Sequence, residues 1–454
     1  MFLLLTLLFV VIITNTHART ELVALVPAGT PSSSNLKLQW VNVTYPENVS
    51  SAKDVSLLIV ESNEAESIPD AWYDLNVGNG AQLTGKIFQE TMYVLENDGG
   101  APSQAGCCAN VLKSIDASGK SSAFELDTII QNALNVSDAY VSHTFDVSNL
   151  YGDKKTPVAF FQVRYEETTL NAYGDAIVAI DLDSKTIVKT KDGELCFKIF
   201  QEAGTTEVKD SIFKIQFYDN TASSVKKEQW HGNGVLHFRS EARDMTLVAF
   251  THRMMAEAVV FKDPWTYKST NGGGTILQRF GTPKKWESGD YDDAVFRYFG
   301  LETTESAFVS GVRRRSTHSL TINRSLNTII RTQVHNVFYT ASSKTKEMQG
   351  KETISLFVNA QDGKSAVYEF QLNLVEESNN DDDTVFRTTY VSASCSFTAP
   401  AQGGTRIIGD GVFLVMSGAD HTGLEVVDVN GNSHSQAYTL GTANLYDPFV
   451  RIIV

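Results

Sequence analysis

The chain has 454 residues, 42% of them hydrophobic, and a formal net charge of -15 at neutral pH. A chain of this length can bury a core that does not depend on its four cysteines. The acidic balance excludes nucleic acid as a predicted partner, because binding a phosphate backbone requires a concentrated basic face.

An apolar run occupies residues 2–13, and Ala18 follows it at a position typical of signal-peptide cleavage. The run is shorter than the roughly 20 apolar residues that a membrane helix needs, and no later stretch approaches that length. We therefore predict a signal peptide over residues 1–18, no stable membrane span and a secreted protein. The sequence leaves the oligomeric state open.

Four Asn-x-Ser/Thr sequons would accept glycans in a eukaryotic secretory pathway. They lie at Asn42, Asn48, Asn135 and Asn323. Together with the signal peptide they predict a secreted glycoprotein.

The four cysteines are Cys107, Cys108, Cys196 and Cys395. They allow three pairings into two disulfides, and the two adjacent cysteines are poor partners for each other because disulfide geometry resists it. No Cys-x-x-Cys or histidine-rich spacing accompanies them, so we predict no metal site. The chain also lacks Gly-x-Ser-x-Gly and His-Glu-x-x-His motifs and a complete Gly-x-x-x-x-Gly-Lys-Ser/Thr loop, so we predict no cofactor.

Short runs of Val, Ile, Thr and aromatic residues, separated by Gly, Asn and Asp turns, predict an all-β chain. Clear strand patterns cover residues 36–44, 176–188, 257–263, 366–370 and 424–431. Residues 126–134 and 292–299 are the two exceptions, and each predicts a short helix. The dipeptide Asn430-Gly431 predicts a tight primed hairpin turn.

Hairpin units recur along the chain, which favours a β-propeller of about six blades over residues 126–454. Residues 19–125 form a separate N-terminal β region in this interpretation. That region is either a small β domain or the first blade with additional loops.

The first candidate site residues are His231 and Asn233. Residues two apart share one face of a strand, so both side chains would point the same way, and Gly232 between them would allow a close approach. A histidine can attack an electrophilic sulfur or phosphorus centre, while an asparagine amide can stabilise a developing oxyanion.

Further candidates occur in other strand patterns. His252 and Arg253 are neighbours and would face opposite sides of a strand, and the planar guanidinium is the better ligand for an anion. His335 and Asn336 are also neighbours that would face opposite sides of a strand, and we expect His335 to face the ligand. His143 belongs to another candidate blade.

Several motifs follow one another along the chain in a characteristic order. They are His143-Thr144-Phe145-Asp146, Asp181-Leu182-Asp183, Trp230-His231-Gly232-Asn233-Gly234, Thr251-His252-Arg253, Asp263-Pro264-Trp265-Thr266-Tyr267, Leu277-Gln278-Arg279-Phe280-Gly281-Thr282-Pro283, His335-Asn336-Val337-Phe338-Tyr339 and Leu424-Glu425-Val426-Val427-Asp428-Val429-Asn430-Gly431. This order resembles the arylsulfotransferase family over roughly residues 130–454. Members of that family are secreted or periplasmic six-bladed propellers.

The resemblance implies a ping-pong reaction without a nucleotide donor. A channel histidine takes the sulfuryl group from a small aromatic sulfate and passes it to a phenol. On this basis His231, His335 and Arg253 are predicted to be catalytic. The residues predicted to bind substrate are Asn233, His252, Asn336 and His143.

The chain departs from the family pattern in one respect. Bacterial members present a further histidine from the late blades as the covalent acceptor, and residues 394–414 contain none. Either His231 or His335 takes over that role, or the protein is a non-catalytic secreted propeller that binds a ligand or protein partner. A hydrolytic or lyase propeller is a weaker alternative, because no metal or carboxylate pair can be assigned to it.

Overall fold

A computed structural model gives the fold. The residues that it describes are 18–25, 36–37, 39–46, 49–55, 57–61, 76–77, 85–96, 109–149, 156–167, 172–193, 196–198, 227–228, 232–252, 257–268, 273–274, 276–280, 308–309, 333–359, 364–372, 387–388, 390–399, 403–417, 423–437 and 451–453. The apolar run of the predicted signal peptide and the predicted helix over residues 292–299 lie outside these ranges.

The first described residues form a three-stranded antiparallel sheet and a separate strand pair. The strands are β1 (Ala18–Leu25), β2 (Leu36–Lys37), β3 (Gln39–Pro46), β4 (Leu58–Glu61) and β5 (Asn76–Val77). The sheet has the order β1-β3-β4, and β2 pairs with β5. In β3 the buried Val43 and Tyr45 alternate with the partly exposed Thr44 and Pro46, as expected for a strand with one face in the core. A short 3-10 helix follows at Ala52–Asp54.

The second sheet is an antiparallel meander followed by the single α-helix among the described residues. Its strands are β6 (Gly85–Phe88), β7 (Thr91–Glu96), β8 (Val111–Asp116) and β9 (Ser121–Glu125), and the helix α1 covers Asp127–Leu134. Ile130 and Leu134 are four residues apart, so they share the helix face that packs into the core. The helix ends at Asn135, whose φ of 54° is left-handed. Among the described residues no helix is long and apolar enough to cross a membrane.

The third sheet contains the strand pattern predicted over residues 176–188. Its strands are β10 (Ala139–Ser148), β11 (Val158–Glu167), β12 (Ala172–Asp181), β13 (Thr186–Ile187), β14 (Phe197–Lys198) and β15 (Lys227–Glu228). The order is β10-β11-β12-β13, with β14 and β15 also paired to β12. Side chains on both faces of β11 and β12 are buried, which is why these segments read as nearly continuous apolar runs.

Three more four-stranded antiparallel sheets follow. The first consists of β16 (Gly232–Ser240), β17 (Met245–His252), β18 (Glu257–Lys262) and β19 (Ile276–Phe280). The second consists of β21 (Gln333–Thr340), β22 (Thr353–Asn359), β23 (Ala366–Gln371) and β25 (Tyr390–Ser394), with β20 (Phe308–Val309) and β24 (Arg387–Thr388) forming a separate pair. The third consists of β26 (Gly403–Gly409), β27 (Val412–Ser417), β28 (Gly423–Asp428) and β29 (Ser433–Ala437).

The first strands of successive sheets lie side by side. β6 contacts β10, β10 contacts β16, β16 contacts β21, and β21 contacts β26. The segment around Val49 and Ala52 contacts the last sheet, because Val49 forms a bridge with Gly409 and the Ala52 amide donates to Asp428 Oδ2 at 2.9 Å. The last strand, β30 (Arg451–Ile453), pairs in parallel with β6. This is the architecture of a β-propeller, so the predicted all-β propeller fold is confirmed.

Apolar clusters fill the space between neighbouring sheets. One cluster joins the second and third sheets through Phe88, Phe145 and Phe161, together with α1. Another joins the β16 and β21 sheets, and a third joins the β21 and β26 sheets. Apolar packing between neighbouring sheets therefore contributes to the stability of the blades.

Two local predictions have different outcomes. The helix predicted over residues 126–134 is confirmed as α1. The primed turn at Asn430-Gly431 is wrong, because that turn needs a positive φ at both central residues and only Gly431, at 79°, has one in this loop. Instead Asp428 Oδ1 accepts hydrogen bonds from the amides of Asn430 and Asn432, which stabilises a wider loop.

Candidate functional site

The first strands of successive sheets, which lie side by side, are called the inner strands below. Three of them depart from regular pairing at positions that carry predicted site residues. The β10–β11 register is interrupted between Val141 and Phe145, around His143. The β16–β17 register is interrupted at Asn233, and the β21–β22 register is interrupted at Asn336. Such bulges occur next to binding and active sites because they change the direction of a side chain.

The three bulges lie at one level of neighbouring strands. The His237 amide donates to Asp146 Oδ2 at 2.8 Å, which aligns β16 with β10. Gly234 packs beside Val337, and the Phe238 and Tyr339 rings stack at 4.5 Å, which aligns β16 with β21. Because these strands run in the same direction, the segments just before the aligned residues meet at one end of the three sheets.

Gly232 marks a close approach between the third sheet and the β16 sheet. Its amide donates to Asp175 Oδ1 at 3.4 Å. A Cβ at this position would overlap the Gln162 amide and the Phe250 ring. The glycine is therefore required by packing between two blades.

Buried polar side chains surround this approach. Asn233 is 1% exposed, Gln162 and Thr251 are 0% exposed, and Asp175 is 2% exposed. Polar groups are rarely collected in a core without hydrogen-bonding or ligand-binding roles. The inner end of β16 thus combines a bulge, a glycine and amide and hydroxyl groups that can bind the oxygens of a ligand.

The predicted site residues fall into two groups. His143, Asn233, His335 and Asn336 lie in β10, β16 and β21, and His252 ends β17 opposite Gly232. His231 and Arg253 lie outside the described residues. The prediction that His231 and Asn233 share a strand face depended on strict alternation, which the bulge at Asn233 interrupts.

The modification sites are similarly divided. Asn42 lies in β3, and Asn135 is exposed at the end of α1, while Asn48 and Asn323 lie outside the described residues. Cys107 and Cys108 also lie outside them. Cys196 and Cys395 are buried.

The late inner strand β26 carries no histidine, but it contains a buried cation. Arg406 is 3% exposed, and its guanidinium lies 4.4 Å from the centroid of the Phe338 ring in β21. It also donates to the Thr405 carbonyl at 3.0 Å. Arg406 therefore adds positive charge to the inner strands, as a cation held against an aromatic face.

Comparison with known proteins gives no family assignment. No family model matches the chain, and no curated protein matches it. Solved structures that resemble it include a 6-phosphogluconolactonase-like protein from Bacteroides fragilis, with 10% identity, a TM-score of 0.39, and coverage of 96% of this chain and 98% of the other. The extracellular domains 1-2 of Drosophila Semaphorin 1a have 10% identity, a TM-score of 0.35, and coverage of 90% and 86%. Similarity this weak supports no conclusion about function.

One buried histidine network was not predicted from the sequence. His237 Nδ1 lies 2.9 Å from Ser148 Oγ, and His237 Nε2 lies 2.6 Å from Asp263 Oδ2. The Phe160 ring stacks on the imidazole at 4.0 Å, and the Trp265 ring packs edge-on against Phe160. The residue types match a nucleophilic triad, but their polar atoms are already hydrogen-bonded to one another and to neighbouring protein groups, so the network needs no ligand. The network links two blades.

A sequence signal for this network did exist. His237 lies in the apolar run Val235-Leu236-His237-Phe238, which indicates a buried histidine that needs polar partners. Within the described ranges no group of three or more His, Cys, Asp and Glu side chains could hold a metal ion.

Proposed function

We propose that this protein is a secreted aryl-sulfate sulfotransferase whose site lies at the inner-strand end formed by β10, β16 and β21. The observation that carries the proposal is the alignment of three bulges, at His143, Asn233 and Asn336, on neighbouring strands. The motif order given above supports the same reaction. Neither observation depends on the comparisons with solved structures.

The proposed reaction transfers a sulfuryl group in two steps. A histidine nitrogen bonds to sulfur while the bond between sulfur and the aryl oxygen breaks, which releases a phenolate. The acceptor phenol then attacks the same sulfur, the nitrogen–sulfur bond breaks, and the acceptor's proton passes to a base. His231 or His335 would be the nucleophile.

The remaining residues would stabilise the transferred group. The Asn233 amide can donate to a sulfuryl oxygen, and a guanidinium at Arg253 can bind two oxygens at once. Hydrogen-bond donors that packing already holds in place do not need to reorient when negative charge develops on the sulfuryl oxygens. The nearly complete burial of Asn233 is consistent with such a preorganised donor.

A second candidate function is ligand binding without catalysis. It is favoured by β26, which has glycines and the buried Arg406 where a late-blade histidine would be expected. In that case a sulfate ester or another oxyanion would bind at the same end of the inner strands without being cleaved.

The experiment uses the secreted protein with 4-nitrophenyl sulfate as donor and a phenol as acceptor. We expect acceptor-dependent release of 4-nitrophenolate, and a loss of about a hundredfold or more in His231→Ala and His335→Ala. His434→Ala is the control, because His434 is exposed in β29. Binding of the ester without transfer would support the second candidate, and transfer that is unchanged in both histidine variants would contradict the proposal.

A further inference from the structure

Gln162 lies in β11, across from the irregular part of β10 that contains His143. Phe160, two residues earlier and therefore on the same strand face, stacks on His237 of β16. Gln162 thus faces the β16 sheet, where its amide adjoins Gly232. Its side chain lies between two of the three bulges of the candidate site.

The amide of Gln162 is completely buried. The residue is 0% exposed, and neither Oε1 nor Nε2 has a hydrogen-bond partner among the residues that the structure describes. Leaving such a group unpaired is unfavourable, and nearly all buried side-chain amides have a partner. Gln278 is also 0% exposed, and it does donate to the Gln371 carbonyl at 3.3 Å.

A second side chain at the same end has this property. Thr251 is 0% exposed, and its Oγ1 has no partner within the described part of the chain. It lies in β17 opposite Gly234, next to the bulge at Asn233. Two buried polar groups beside one pair of bulges are more readily explained by a bound polar ligand than by two independent defects in packing.

We infer that the amide of Gln162 is a ligand-binding group that donates to an oxygen of the sulfuryl moiety of a sulfate ester. The choice of ligand class rests on the proposed function, whereas the position of the binding group rests on the burial of Gln162 alone. Nε2 carries two N–H donors for sulfuryl oxygens, and Oε1 can accept from a hydroxyl or a protonated imidazole. The hydroxyl of Thr251 would be a second donor on the same ligand.

The test is Gln162→Met, which keeps the length of the side chain and removes its polar atoms. Calorimetry with inorganic sulfate gives Kd, turnover of 4-nitrophenyl sulfate gives KM and kcat, and urea unfolding without ligand gives the midpoint. We expect Kd and KM to rise roughly tenfold, the effect of losing one hydrogen bond to an ionised group. We expect the urea midpoint to stay the same or rise, because the variant removes an unpartnered buried amide.

Gln278→Met is the matched control. It removes a buried glutamine that has a protein partner, so its urea midpoint should fall while Kd and KM stay unchanged. A lower urea midpoint in Gln162→Met would overturn the inference, because it would reveal a hydrogen-bond partner within the protein.

The failure of the inference and the failure of the proposed function give different results. If the wild-type protein binds sulfate more tightly than Gln162→Met but transfers no sulfuryl group, the inference stands and the sulfotransferase proposal fails. If transfer occurs and Kd and KM are the same in both proteins, the inference is overturned and the proposal stands. If the wild-type protein binds neither sulfate nor the ester, both are overturned.

Discussion

His237 Nε2 lies 2.6 Å from Asp263 Oδ2, and both side chains are completely buried. The imidazole connects the inner strand β16 to the residue that follows β18, and its other nitrogen contacts Ser148 of the preceding blade. Burying a charged or polar pair is unfavourable unless each member has partners, and here each does. The contact therefore fixes two strands of one blade against the neighbouring blade.

We expect His237→Ala to lower the free energy of unfolding by about 3–5 kcal/mol, because it removes the imidazole that lies against the buried Asp263 carboxylate. Urea unfolding followed by tryptophan fluorescence measures this change. Arg239→Ala is a control on the same strand, since Arg239 pairs with Asp244 at the surface. That substitution should cost less than about 1 kcal/mol. Equal losses in the two variants would contradict a special role for the buried histidine.

Asp263 should make stability depend on pH in the acid range. Burial acts to raise the pKa of Asp263, but the adjacent His237 and hydrogen bonds from His237, Thr266 and Trp265 outweigh it and hold the pKa below its ordinary value. A carboxyl with a lower pKa in the folded state adds stability above its unfolded pKa of about 3.9, and this stability is lost as the pH falls through the folded value. In urea unfolding between about pH 5 and pH 2, Asp263→Asn should lose less stability on acidification than the wild-type protein.

The contribution of Glu425 to folding stability should depend on pH in the opposite direction. Burial raises its pKa even though both carboxylate oxygens accept from the Ser396 amide, at 2.9 Å each. A group whose pKa is raised by folding adds stability below its unfolded pKa of about 4.3, and this contribution is lost as the pH rises through the folded value. Glu425→Gln should therefore remove a decline in stability between about pH 4 and pH 7. An identical pH profile in variant and wild type would show that Glu425 is not perturbed.

Glu369 is a buried acidic residue whose side chain accepts hydrogen bonds from three hydroxyl groups. It is 0% exposed and accepts from Ser343 at 2.7 Å, from Thr345 at 2.5 Å and from Thr353 at 2.8 Å. We expect Glu369→Ala to destabilise the protein by about 3 kcal/mol or more, because three hydroxyls lose their acceptor. Thr353→Val removes only one donor and should cost about 1 kcal/mol in the same unfolding assay. A larger cost for the threonine variant would contradict this ranking.

Substitution by alanine should destabilise the protein more at Gly409 than at Gly431. A Cβ at Gly409 would overlap the Val49 carbonyl, which links the N-terminal segment to the last sheet. At Gly431 a Cβ would meet nothing within 4 Å, and only the φ of 79° is unfavourable. We expect Gly409→Ala to cost about 3 kcal/mol through overpacking, and Gly431→Ala about 1 kcal/mol through backbone strain. Thermal unfolding gives the ranking, and limited proteolysis should show faster cleavage near Val49 only in the first variant.

Much of the fold could be predicted because it depends on local pattern. Alternating and continuous apolar runs predicted the strands, and the segment before Asn135 predicted α1. The turn at Asn430-Gly431 could not be predicted from the dipeptide, because the side chain of Asp428 competes for the loop amides. The placement of His237 was also missed, since its partners Ser148 and Asp263 come from other strands.

By itself the sequence determined that the fold of this chain is all-β, and it predicted which histidine and asparagine residues form a site. Both follow from the residues of each segment alone, because the spacing of apolar side chains within a segment indicates whether it forms a strand. Only the tertiary structure decided that the bulges at His143, Asn233 and Asn336 lie at one level, and that Gln162 is enclosed beside them. The physical reason is that the register of a strand, and the burial of a polar group, depend on partners that are far away in the chain.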